Sequence, residues 1–386
     1  MNEQLSKMTP FIVMEVLERA QQMQREGIDV IHLEVGEPDF DIPESVMKAC
    51  QKAYEVGATH YTHSVGNADL RAEIATFYQR EYGVTISPDR VLVTSGSSPA
   101  ILMALMCLCS QGSEVLMSNP GYPCYKNFTL AVRANPVFVR LLTDGSFRYD
   151  IEDIRKKITP DTRALFFNSP MNPTGVLSPE EDFAAVASLG IPVISDEIYH
   201  GLVYGGKAHT MLEYTDNVFV INGFSKRFAM TGIRLGYMIA PEEYMRPLQI
   251  LQQNLFICAS STAQKGALEA LRNPQAMKDT ERMRQEFDAR RQYMVQRLRQ
   301  IGFGIEVEPQ GAFYVFADAR KFTDDSYKFA FEVLENAHVG ITPGVDFGTA
   351  GEGFVRFSYA NSIENIKEGL VRLEQYLKNR KNKCRC

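Results

Sequence analysis

The chain has 386 residues, of which 45% are hydrophobic and 23% charged, a composition that allows two domains with a large core and excludes a disordered or fibrous protein. With 41 basic against 47 acidic side chains the net charge is −6, so there is no electrostatic footprint for a nucleic-acid partner. No apolar run approaches the roughly 20 residues that cross a bilayer, and MNEQLSKMTP lacks the apolar centre of a secretory leader; no membrane partner is expected, and the expected location is cytoplasmic.

Seven cysteines is an odd number, and Cys107, Cys109 and Cys258 sit in apolar runs, which reads as reduced, buried thiols. Cys384 and Cys386 form a C-x-C without a second ligand pair, so a frayed tail is expected there and no metal. The basic end, Lys378 to Arg385, reads as a solvated terminus.

In chain order, Phe11 to Glu26 carries apolar residues at Ile12, Val13, Val16, Leu17, Ala20 and Met23, close to a helical stripe. Val30 to Leu33 reads as a short strand leaving through Gly36-Glu37-Pro38, and Pro43 to Gly57 as a helix opened by proline. A Y-x-x-x-x-G-x-x-x-L-R pattern follows, from Tyr61 through Gly66 to Arg71. From Arg90 strands and helices alternate. Val91 to Val93 is a strand, Ser95-Gly96-Ser97-Ser98 a small-residue turn, and Pro99 to Cys109 an apolar helix. Such a turn gathers free N–H groups and hydroxyls at one point, which makes an anion site, although it matches neither nucleotide motif.

Further strands are predicted at Glu114 to Met117, Val137 to Leu142, Ala164 to Phe167, Val193 to Ser195 and Val218 to Ile221, with helical patterns such as Glu180 to Ser188 between several of them. This predicts an α/β fold with a mostly parallel sheet covered on both faces, whose ligands bind at the C-terminal strand ends. Ser95 to Ser98, Tyr122, Asn172, Asp196, Tyr199, Ser225 and Lys226 all fall at those ends. Asp196 closes a buried strand and needs a partner for its charge. Thirty residues on (226 − 196), after room for a two-strand excursion, Lys226 lies in an irregular connection that can present it to a ligand. Arg234, eight positions later, offers a planar fork suited to phosphate.

Beyond Pro241 the pattern is helical through Gly302, and then reads β, α, β, α over Phe303 to Phe316, Tyr327 to Ala337, Phe354 to Tyr359 and Ile363 to Tyr376. The expected organisation is a large domain over 45–285 and a smaller α/β domain assembled from 1–44 and 286–386. Arg356 lies inside an apolar strand, where a guanidinium wants a carboxylate.

Ordered segments, over roughly residues 10 to 375, resemble the class I/II aminotransferases of fold type I, the aspartate aminotransferase-like enzymes that use pyridoxal 5′-phosphate (PLP). They are the Tyr61 pattern, Asn119-Pro120-Gly121-Tyr122-Pro123, Asn172-Pro173-Thr174-Gly175, Ser195-Asp196-Glu197-Ile198-Tyr199 with the run from Ser225 to Tyr237, and the strand carrying Arg356. The resemblance implies that Lys226 forms a Schiff base with the cofactor aldehyde and that Asp196 pairs with the pyridine nitrogen. It implies that Asn172 and Tyr199 reach the phenolic oxygen and that Tyr122 stacks on the ring, where many relatives carry Trp. Gly96, Ser97, Ser98, Ser225 and Arg234 would hold the phosphate, with Tyr61 supplied by the neighbouring subunit of a homodimer. Arg356 would take the substrate α-carboxylate, with Gly36 and Asn172 nearby. The implied reaction moves the amino group of an L-amino acid to a 2-oxo acid, 2-oxoglutarate being the expected acceptor. The same apparatus could serve a C–S β-lyase, or a PLP-binding regulatory protein without turnover. Donor specificity is not fixed by these motifs; a broad range spanning aspartate, alanine and aromatic or neutral amino acids is expected.

Overall fold

The computed structural model describes residues 5–383, so Cys384 and Cys386 lie outside the described residues. Helix α1 (Ile12–Arg25), strand β1 (Ile31–His32) and helices α2 (Glu44–Glu55) and α3 (Ala68–Tyr82) come first. The alternating region follows: β2 (Val91–Thr94), α4 (Ser97–Leu108), β3 (Glu114–Asn119), α5 (Cys124–Ala131), β4 (Asn135–Arg140), α6 (Ile151–Lys157), β5 (Thr162–Asn168), α7 (Glu180–Ala187), β6 (Val193–Asp196), β7 (Val218–Gly223) and β8 (Gly236–Ile239). Then come α8 (Glu242–Leu255), α9 (Ser261–Arg272), α10 (Pro274–Ile301), β9 (Tyr314–Asp318), α11 (Ser326–Ala337), β10 (Val339–Gly340), β11 (Thr342–Pro343), β12 (Phe354–Ser358) and α12 (Ile363–Lys383).

Seven strands form one sheet in the order β2-β8-β7-β6-β5-β3-β4. Only β8 runs against its neighbours, β2 and β7; every other pair is parallel. The central strands are apolar throughout because both faces are covered, and their side chains divide by the two-residue period. Along β7, Val218 and Val220 join the core under α2, α3 and α9, while Phe219 and Ile221 join the core under α4 and α8. Pro136, which lacks an N–H, is tolerated because β4 is an edge strand, and that strand starts two residues before the expected Val137.

A separate core gathers around the antiparallel sheet β11-β12-β9 and the parallel pair β1-β10, with Leu33, Phe313, Phe329, Phe357 and Leu370 buried in it. Helix α10 spans both regions without a break: Ala276 packs with the large sheet, Phe287 and Leu298 with the smaller one.

Several expectations need correction. Ser97 and Ser98 belong to the first turn of α4, ahead of the expected start at Pro99. The stretch between Asp196 and Lys226 holds one strand, β7, at the predicted Val218 to Ile221, and no second strand fills the room left there. Most of the remainder is a loop pinned by buried Glu197, whose Oε1 accepts from Ser195 Oγ (2.9 Å), Thr210 Oγ1 (3.0 Å) and Met211 N (3.0 Å). The last helix, expected to end at Tyr376, runs on to Lys383. Cys107, Cys109 and Cys258 are free thiols but only half-buried. Among the described residues no helix is long and apolar enough to cross a membrane.

Candidate active site

The C-terminal ends of the parallel strands, capped by α1 and by β9 and β12 of the smaller sheet, enclose a cavity of about 460 Å³. It is lined by Gly36, Ser97, Ser98, Tyr122, Asn172, Asp196, Tyr199, Ser225, Lys226, Arg234 and Arg356, which lie far apart in the chain. Tyr61 is not among them: it is 85% exposed on the surface of this chain.

Lys226 stands in a tight turn after β7, between Phe224 and two residues forced into the left-handed region, Ala229 (φ 52°) and Arg234 (φ 56°). That backbone turns Arg234 back so that its Nη1 donates to Thr231 O at 2.8 Å. The guanidinium fills the space a side chain would need at Gly96, where a Cβ would come within 2.6 Å of Arg234 Nη2 at a backbone φ of 93°. Gly96 in turn leads into α4, whose first N–H groups have no acceptor within the helix. Cation, helix N-terminus and the hydroxyls of Ser97, Ser98 and Ser225 therefore border one end of the cavity, an arrangement that fits a phosphate.

Lys226 Nζ donates to Gly36 O at 2.8 Å and lies 5.8 Å from the centre of the Phe313 ring. Burial pushes its amine down to about 8; Arg356 and Arg234 push the same way, while Glu37 and Asp196 oppose them. Asp196, at the end of β6, is buried. Its Oδ2 accepts from Tyr125 OH at 2.6 Å, and its Oδ1 from Ile198 N at 3.2 Å. Burial raises its carboxyl above the usual range against the pull of these donors.

Arg356 is 2% exposed, and its guanidinium lies 4.1 Å over the Tyr314 ring and 4.9 Å from that of Phe347. Nη1 donates to Asn172 Oδ1 (2.9 Å), and Nη2 to Glu34 O (2.8 Å) and Thr342 Oγ1 (3.3 Å). Nε is buried without a partner, and Arg356 forms no ion pair among the described residues. A buried cation lacking an anion is costly, and the N–H groups that Arg356 leaves free could take a carboxylate. Asn172 is fixed by its own N–H donating to Asn168 Oδ1 (2.8 Å); its amide oxygen is engaged by Arg356, which leaves its NH₂ to donate. Tyr199 OH shares a hydrogen bond of 3.0 Å with Tyr314 OH.

Several of these residues escape sequence reasoning. Tyr125 and Tyr314 meet Asp196 and Tyr199 across 71 and 115 positions. Phe11, Val13, Met14 and Leu17 of the N-terminal segment form an apolar wall, held in place where Asp346 accepts from Ile12 N (2.9 Å) and Val13 N (3.2 Å). The one local signal was a second tyrosine three positions after Tyr122.

Residues 28–373 match the family model for aminotransferase class I and II. The chain is 40% identical to a (5-formylfuran-3-yl)methyl phosphate transaminase of Methanocaldococcus jannaschii, covering 98% of this chain and 99% of that one. It is 36% identical to an aspartate aminotransferase of Pyrococcus horikoshii over 96% and 95% of the two chains. The crystal structure of Thermus thermophilus aspartate aminotransferase with maleate superimposes with a TM-score of 0.93, at 34% identity over 97% of this chain and 99% of that one. The chain belongs to the class I and II aminotransferases, and is a PLP-dependent transaminase with an aspartate aminotransferase-like fold.

Proposed function

We propose that this transaminase takes the amino group from an L-amino acid with an uncharged side chain and passes it to 2-oxoglutarate, with Lys226, Asp196 and Arg356 as its working groups. The observation that carries this reading is the unpaired guanidinium of Arg356, which faces the same cavity as the Lys226 amine. The cavity fits the cofactor. Arg234, Ser97, Ser98, Ser225 and the start of α4 would hold its phosphate, Asp196 its ring nitrogen, Asn172 and Tyr199 its phenolic oxygen, and Tyr122 would lie against the ring. When bound, PLP supplies a carbon that accepts the amino group and a ring that takes up the electron pair left at the substrate Cα.

Arg356 binds the α-carboxylate through the N–H groups that Asn172, Glu34 and Thr342 leave free, and so fixes Cα relative to Lys226. With its amine pushed down to about 8, Lys226 is partly neutral near neutral pH; once free of the cofactor its Nζ would take the proton from Cα and hand it, in the same half-reaction, to the carbon that keeps the amino group, the reverse shift serving the acceptor. Asp196 carries the negative charge that favours a proton on the ring nitrogen. The wall of Phe11, Val13, Met14 and Leu17 supports an uncharged donor side chain.

The enzyme is further proposed to be a homodimer. The exposure of Tyr61 supports this, together with Leu255 (48%) and Ile257 (50%), apolar side chains that a second copy would cover. The loop bearing Tyr61 is docked on the sheet: Val93 N donates to Val65 O (3.0 Å), and Gly66 (φ 104°) has no room for a Cβ against Val93. The two-domain division near residues 45 and 285 is supported by the change of packing partner along α10 between Ala276 and Phe287.

The test is to mix the yellow holoenzyme with single L-amino acids, without acceptor. Loss of the visible band with one equivalent of pyridoxamine phosphate, restored by 2-oxoglutarate and absent in Lys226→Ala, is expected for neutral donors. Continuous ammonia release without acceptor would refute the reading in favour of a lyase.

A further inference from the structure

We propose that Tyr125 is a positioning residue of this enzyme: its hydroxyl, donated to Asp196 Oδ2 across the neighbouring strand, orients that carboxylate and keeps it ionised for the cofactor ring. The sheet order explains how it reaches. Tyr125 is the second residue of α5, which follows β3, whereas Asp196 ends β6, and β5 lies between those strands. The tyrosine crosses β5 by lying flat on Phe166 of that strand, ring centres 4.2 Å apart and planes 7° apart, and its hydroxyl then meets Oδ2 at 2.6 Å. Tyr122 closes on the same ring edge-on at 5.2 Å and 81°, and Tyr125 N donates to Tyr122 O at 3.2 Å. A ring stacked on one side, met edge-on by a second and fully buried has little freedom to swing, so its O–H is a fixed donor aimed at one acceptor.

The acid needs this donor. Asp196 is buried at the sheet end, and burial favours its neutral form; the Tyr125 O–H and the longer Ile198 N–H at 3.2 Å are the hydrogen bonds to its carboxylate oxygens that favour the ionised form. Tyr125 itself is held far above its ordinary titration range by burial and by Asp196, so it stays a donor at any working pH. Without its hydroxyl the carboxylate keeps one long backbone donor and gains freedom to rotate.

The inference rests on the assignment of Asp196 to the ring nitrogen, and the experiment separates the two. PLP binding to the apoprotein is titrated between pH 5 and 9 for the parent, Tyr125→Phe, Asp196→Asn and the double variant. Tyr125→Phe keeps the stacked ring and removes only the hydroxyl. Its PLP Kd is expected to rise about ten- to a hundredfold, the scale of a hydrogen bond to a charged group, with the ratio to parent growing as pH falls. In the Asp196→Asn background the same change is expected to add nothing. A Kd ratio that stays flat with pH, or a Tyr125→Phe effect that persists without the acid, would show that Tyr125 only packs. If Asp196→Asn itself binds PLP as tightly as the parent, the assignment of Asp196 falls and takes this inference with it. If only Tyr125→Phe matches the parent, the inference alone is overturned.

Discussion

Arg356→Lys isolates what the guanidinium contributes beyond its charge. Of its five N–H groups, three are engaged, one on Nη1 by Asn172 Oδ1 and two on Nη2 by Glu34 O and Thr342 Oγ1. The Nε–H, recorded without a partner, and the second Nη1–H remain for a carboxylate. Lysine keeps a positive charge over the Tyr314 ring but offers a single point in place of a fork, and it must also serve the three internal acceptors. Losing one or two hydrogen bonds to a carboxylate costs about 2–4 kcal/mol, which corresponds to a roughly 30- to 1000-fold weaker donor. The assay is the donor half-reaction, in which the dissociation constant is read from the cofactor colour for an L-amino acid and for its methyl ester. The acid is expected to weaken by that factor while the ester, already lacking the carboxylate, stays within about threefold. Equal losses for acid and ester, or no loss for either, would refute the assignment of Arg356 to the α-carboxylate.

Glu197→Gln should change how stability depends on pH. Burial pushes the Glu197 carboxyl up to about 8, so the stability linked to its proton is complete below the ordinary carboxylate range and is lost as pH rises through 8. Burial drives His200 down to about 3, so the 3.5 Å approach of His200 Nδ1 to Glu197 Oε2 joins two largely neutral groups at pH 7. In urea unfolding, the parent's advantage over Glu197→Gln is expected to shrink by on the order of 1 kcal/mol per unit between pH 5 and 8; parallel curves would contradict the buried-carboxyl account. Tyr61→Phe is expected to raise the PLP Kd about tenfold, the cost of one phosphate hydrogen bond, with the protein sedimenting as a dimer. A monomeric, fully active parent would eliminate the shared site.

What was legible in the sequence is what local chemistry dictates. Asp196 could be marked because an acid ending an apolar strand needs a partner, Arg356 because a guanidinium inside a buried strand does, and the turn at Ser95 to Ser98 because small residues before an apolar helix make an anion site. The roles of Tyr122, Asn172 and Tyr199 came from the resemblance, and the structure brings all three to the same cavity. Contacts that depend on sheet order could not be read. Nothing in the segment around Tyr125 says that β5, rather than β6, lies beside β3, and without that order its 2.6 Å bond to Asp196 is invisible. The apolar wall of α1 was read as an ordinary helical stripe, because its placement depends on Asp346, 334 positions away from Ile12. The loop between Asp196 and β7 could not be read for a related reason: a buried Glu197 organises it through side-chain bonds, which leave no periodic trace.

The charges of the cavity explain one another. Lys226, Arg234 and Arg356 face Asp196 and Glu37, an excess of one cation in a partly dry space, and folding alone leaves that excess uncompensated. A phosphate beside Arg234 and a carboxylate beside Arg356 would reverse the imbalance, so PLP should stabilise the fold by mass action well beyond its contact area. The same geometry links binding to proton transfer. Arg356 and Arg234 both depress the Lys226 amine, and each loses that influence when an anion sits against it. The amine is thus held partly neutral before either ligand arrives, which suits it to condense with the cofactor aldehyde, and once the donor has displaced it with both anions seated it would be a stronger base for the Cα proton. A substrate analogue lacking the carboxylate would be a poorer reactant on two counts, looser placement of Cα and a weaker base at Lys226 Nζ.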